Sequence, residues 1–182
     1  MPLRLLLART DDVVVAVTDA TGYPTGFEFK LVIRSRTRSY GIYDEPFDVG
    51  HPTLWRHRRP GSEIPPELLR FGIEFADGSK ATNVTGPPFL TPDEEPPEGP
   101  LLLEHGGGGG GGDWDAKYWV WPLPPEGPLA FVCEWPAKGI PLTREEIDAG
   151  LVLAAASRAE KLWDDAGGTP SGGWTSYGPR IS

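Results

Sequence analysis

Glutamine is absent from this chain, and cysteine, methionine and asparagine occur once each. A single cysteine, Cys133, excludes an intrachain disulfide. It sits in the apolar run Phe131-Val132-Cys133-Glu134-Trp135, which predicts a buried, inert thiol. A nucleophilic thiol needs an electropositive, accessible setting. Long apolar runs are also missing. No stretch approaches the ~20 residues of a membrane-spanning helix. The four apolar residues 5–8 are too few for the core of a signal peptide. A cytoplasmic protein without a membrane partner is expected, and there the sequon Asn83-Val84-Thr85 has no consequence. Positive charge is scarce, with 17 Lys and Arg against 26 Asp and Glu, a net charge of −9 and a pI near 4.8. That balance argues against a duplex nucleic-acid partner, which calls for a basic face. The one basic cluster, Arg34, Arg36, Arg38, Arg56, His57, Arg58 and Arg59, is a solvated strand end and a charged loop that favour solubility.

Glycine and proline, by contrast, are abundant, at 24 and 21 of 182 residues. They are clustered, and the segments between them are apolar, which predicts strands joined by long loops. Helix cannot dominate, because Pro and Gly interrupt it repeatedly. Asp11–Thr18 is a β-branched run. Phe27–Arg36 alternates cleanly, with Phe27, Phe29, Leu31 and Ile33 on one side, as a half-buried antiparallel strand does. These two strands are expected to neighbour each other. Residues 39–67 read as a long loop. Leu68–Phe75 is a strand, Asp77-Gly78 a hairpin turn, and Ser79–Val84 the returning strand. Tyr118–Trp121 and Leu129–Trp135, joined by the proline-stiffened PLPPEGP, predict a second hairpin. Thr143-Arg144-Glu145-Glu146 fits a capping box. An amphipathic helix over 143–163 is expected from it, with Ile147, Leu151, Ala154 or Ala155, Arg158 and Leu162 facing the sheet.

Seven glycines, 106–112, interrupt the chain before Asp113. Neither side of the run carries enough strands for a core of its own, so a loop within one domain is expected rather than a linker. One domain over 1–165, with a glycine-rich surface loop at 86–113 and a flexible tail at 166–182, follows. The run lacks the lysine and the helix start of a phosphate loop, and Asp113 repels phosphate. His51, His57, His105, Glu104, Asp113 and Asp115 show no metal-ligand spacing. No Ser/His/Asp signature is present, and Glu74 and Glu134 fall on the outward faces of their strands. The sequence therefore calls for no cofactor, metal or catalytic residue.

Seven tryptophans are the least ordinary feature. Trp119 and Trp121 share one face of a strand, and Trp135 lies on the next. Exposed, they make a stacking platform for a sugar or a partner chain. The expected C-terminal helix follows closely enough to cover them, which favours a packed role.

YPTGFEF (23–29), LLRFGIEFADG (68–78), YWVWPLPPEGPLAFVCEWP (118–136) and TREEIDAGLVLAAASRAEKLW (143–163) resemble an uncharacterised family of hypothetical proteins from high-GC bacteria. The resemblance covers residues 5–165. It implies a single cytoplasmic domain and carries over no activity or site residue. The expected fold is an antiparallel β-sandwich of immunoglobulin-like style, closed by one C-terminal helix. The expected function is a non-catalytic interaction or structural module working with a protein partner or by self-association. A carbohydrate-binding module using Trp119, Trp121 and Trp135, and a hydrolase of unknown type, are the alternatives.

Overall fold

The structure, a computed structural model, describes residues 2–36, 63–84, 99–110 and 112–160. Among the described residues nine strands and one short α-helix follow in order, with a single 3-10 turn at Pro136–Lys138 between the last two strands: β1 (Arg4–Arg9), β2 (Val13–Tyr23), β3 (Gly26–Ser35), β4 (Arg70–Glu74), β5 (Lys80–Thr82), β6 (Leu101–Gly110), β7 (Asp113–Trp121), β8 (Pro128–Trp135), β9 (Ile140–Asp148) and α1 (Gly150–Ala156). They make two antiparallel sheets, ordered β1-β2-β3-β7-β6 and β5-β4-β8-β9. A mainly β sandwich-like fold with a C-terminal helix results, as the sequence pattern requires.

The core lies between the sheets and is built by alternation. Phe27, Phe29, Leu31 and Ile33 of β3 are all buried, as their period of two predicts. Tyr118 and Val120 of β7 join them from the same sheet. Phe71 and Ile73 of β4, with Leu129, Phe131, Cys133 and Trp135 of β8, come from the other. Aromatic contacts tie the layers. Phe29 stacks on Tyr118 within its sheet (5.6 Å) and meets Phe131 edge-on across the gap (5.2 Å). Such pairs contribute about 0.5–1.5 kcal/mol each beyond area burial.

Local chemistry explains the turns that hold. Tyr23 pairs with Gly26, so the expected β2–β3 neighbours form a tight hairpin over Pro24-Thr25. At the β4–β5 turn, Gly78 takes φ 84°, and the Asp77 carboxylate accepts from the Ser79 backbone N–H at 2.9 Å.

Three expectations fail. Tyr118–Trp121 and Leu129–Trp135 are not a hairpin: β7 pairs with β3 and β6, whereas β8 pairs with β4 and β9. PLPPEGP therefore carries the chain from one sheet to the other. Within the glycine-rich tract 86–113, the short edge strand that Leu101–Leu103 predict is present but runs on through the glycines as β6, over 101–110, where a loop is expected. Close approach explains it: a Cβ on Gly107 would stand 2.6 Å from the Asp115 carbonyl oxygen, and one on Gly109 2.0 Å from that of Asp113. Third, the helix does not begin at Thr143. Residues 140–148 form β9, and α1 is seven residues long, with Val152 and Ala156 buried and Leu151 49% exposed. The Thr143 hydroxyl donates to the Cys133 carbonyl (3.2 Å) and caps nothing. Strand β8 needs a partner on that side, and T-R-E-E-I-D alternates as well as it caps, so pairing overrides the local signal. The helix also ends early: residues 157–160 are described and not helical, and Arg158 is exposed instead of facing the sheet. The loop expected over 39–62, the tract 86–98, the tail at 166–182, residues 161–163 of the expected helix, and Arg38, Arg56, His57, Arg58, Arg59 and His51 lie outside the described residues. The apolar run at 5–8, too short for the core of a signal peptide, lies in β1.

A candidate binding face on the five-stranded sheet

The alternation that buries Tyr118 and Val120 turns Trp119 and Trp121 to the outer face of the five-stranded sheet. Register places their neighbours. One row across that face reads Thr21, Glu28, Trp119, Leu103, and the next runs from Tyr23 and Gly26 to Trp121 and Leu101. The Trp119 indole lies across Gly26: a Cβ there would stand 2.7 Å from Trp119 Cζ2. Gly26 is thus buried by a ring on the outer face, and only glycine leaves room for it. Tyr23, 40% exposed, meets Trp119 edge-on, with centroids 5.3 Å apart and planes at 60°. Trp119 and Trp121 are half-buried. Together the three rings form an aromatic corner.

The helix does not cover this corner. Its principal neighbours are β2, β3 and β9, and the backbone of Ala156 sits where a Gly22 side chain would be, on the core side of β2. The expected covering of Trp119 and Trp121 by the helix is therefore corrected, because the helix starts later and packs on the opposite face.

Trp135 leaves the expected trio. It points into the core from the other sheet, is 1% exposed, and donates its indole N–H to the Glu67 carbonyl at 2.8 Å. A ligand on the outer face cannot reach it.

Polar groups border the corner. Glu28, with a 19% exposed side chain, faces two side-chain nitrogens: His105 Nε2 lies 2.9 Å from one oxygen and Lys117 Nζ 3.5 Å from the other. Farther along, Arg34 pairs with Asp115, which raises the guanidinium pKa. Lys30 holds Asp19 at 3.3 Å, and that hydrogen bond lowers the carboxyl pKa. Sequence reasoning singled out neither Tyr23 nor Glu28, and weighed His105 only as a metal ligand. The alternation of β3 was enough to place Glu28 outward; its partners required the strand order.

On the other sheet, Glu74 and Glu134 do point outward, as alternation predicts, and both are tied in ion pairs. Glu134 binds Arg70 at 2.6 Å; Glu74 binds Lys80 at 2.9 Å and Arg144 at 3.5 Å. Among the described residues each carboxylate thus faces cations, not a second carboxylate with which to share acid–base work. Cys133 is buried, and desolvation raises its thiol pKa, the reverse of what activates a nucleophile. Among the described residues no cluster of three or more His, Cys, Asp or Glu is placed to hold a metal ion, and no helix is long and apolar enough to cross a membrane. No family model, no curated protein and no solved structure matches this chain.

Proposed function

We propose that the chain is a non-catalytic interaction module that engages a protein partner through the outer face of its five-stranded sheet. The observation that carries this reading is the aromatic corner of Trp119, Tyr23 and Trp121, which the helix leaves open. Aromatic rings with an apolar body and a polar handle are favoured anchors of protein interfaces. The buried, unpaired Cys133 suits a reducing compartment such as the cytoplasm. A second reading has its own support. Glu28, His105 and Lys117 stand beside Trp119, and a ring flanked by such polar groups also suits a saccharide.

A photo-crosslinking phenylalanine analogue at position 121, installed in cells that make the protein, separates the two. The interaction reading expects one recurring protein adduct that disappears in Trp119→Ala. The saccharide reading expects no protein adduct, but retarded migration in gels containing xylan, chitin or β-glucan. If neither is seen, the corner is packing alone.

A further inference from the structure

We infer that the free edge of β6 receives an extended, basic segment of another protein as an added strand. This inference rests on the interaction reading but uses a different surface. Among the described residues β6 pairs only with β7, Gly107–Gly110 are exposed, and none of those residues takes up the outward backbone groups of this edge, which can receive a new strand. None of the usual guards is present between 106 and 110: no lysine, no proline and no inward charge.

The glycines divide into two sets. Gly107 and Gly109 are forced, because a side chain there would strike the β7 backbone. Gly106, Gly108 and Gly110 are not. A Cβ at each would meet nothing within 4 Å, and none has a positive φ. Neither packing among the described residues nor backbone conformation accounts for glycine at these three positions, where it weakens the strand. An added strand does account for it. With β6 bare, the incoming side chains can lie over it and reach β7.

Opposite Gly106 they would meet Lys117, which Glu28 holds at 3.5 Å; farther along the edge what they would reach is acidic, although Asp113 already accepts from the Ser35 backbone N–H at 3.3 Å. Asp113 and Asp115 of β7 stand opposite Gly110 and Gly108. Among the described residues one guanidinium, Arg34, pairs with Asp115, and the Asp113 charge acts on the same group. The distance from β7 to an added strand is two strand spacings, about 10 Å, which a lysine or arginine and an aspartate span together. A segment with Lys or Arg at alternate positions fits this face and the net charge of −9. A second copy would bring the same carboxylates and the same excess of negative charge.

The test is a fluorescent peptide of alternating Lys and Thr, titrated with the full chain by anisotropy. Its fully N-methylated counterpart keeps every charge and has no N–H to donate. The expected results are binding of the first peptide, at least a tenfold loss for the methylated one, and at least a fivefold loss for Asp113→Asn/Asp115→Asn. Gly108→Pro, checked for an unchanged thermal transition, should lose binding as methylation does. Failure of the plain peptide to bind, or equal binding of both peptides, overturns the inference. A dimer in sedimentation equilibrium that Gly108→Pro abolishes gives the edge to a second copy and overturns it too. Loss of edge binding with the position-121 adduct retained sinks the strand addition alone; the converse sinks only the aromatic face.

Discussion

The backbone nitrogen of Ala156 lies 2.4 Å from the place where a Cβ on Gly22 would stand. The helix therefore rests directly on the β2 backbone, and the absence of one side chain sets that distance. Gly22→Ala should push α1 off the sheet and cost about 1–3 kcal/mol, as overpacking does. On the same helix Val152→Asp should unfold the protein or nearly so, because an unpaired charge would enter the core. Leu151→Asp should change the midpoint of urea unfolding little, since that side chain is 49% exposed. Equal midpoints for the two aspartate variants would contradict this helix placement.

Trp135 and Trp119 should respond differently to the same change. Trp135 is sealed in the core and hydrogen-bonded to Glu67, so Trp135→Ala should cost about 3–5 kcal/mol. Trp119 is half-buried on the outer face and should cost clearly less. Chemical denaturation of the two variants side by side gives the comparison; a larger loss at Trp119 would mean that its face is covered.

Among the described residues the buried Tyr118 hydroxyl has no hydrogen-bond partner, and its ring lies against those of Phe29 and Phe71. A buried donor left unmade carries a desolvation penalty, about 1–3 kcal/mol at most. Tyr118→Phe keeps the ring stack and removes the penalty. It should raise the melting temperature or leave it unchanged, and a clear drop would reveal a partner for the hydroxyl.

Burial raises the Cys133 thiol pKa, and that of the Tyr118 phenol well above its usual value. Each holds its proton more tightly folded than unfolded. The sign is therefore fixed: this contribution is present in full below the unfolded thiol value, about 8.5, and is lost as pH rises. Stability should hold to about pH 8 and then fall. Cys133→Ala should flatten the first part of that decline, and Tyr118→Phe the later part, which begins near the phenol's unfolded value of about 10. Urea melts across this range measure it. Identical slopes in all three proteins would remove these groups as the cause.

Alternation along single strands was legible without any structure. It placed Phe27, Phe29, Leu31 and Ile33 inward, turned Trp119 and Trp121 away from Tyr118 and Val120, and sent Glu74 and Glu134 outward. The Asp77-Gly78 turn and the buried Cys133 belong to the same class, because each depends on a few adjacent residues. Tertiary structure decided everything that depends on which strands meet. Five glycines have no side-chain pattern to announce a strand, and β7 alone makes one of them. Thr143-Arg144-Glu145-Glu146 satisfies two local rules at once, and the vacant side of β8 selects the strand. PLPPEGP reads as a hairpin loop until β8 is seen to pair with β4, more than fifty residues earlier. The aromatic corner is the same kind of outcome. Trp119 stands out in the sequence, but Tyr23 and Gly26 do not, and the three become a face only when β3 pairs with β7, since hydrogen bonding between distant strands is not encoded in the spacing of either.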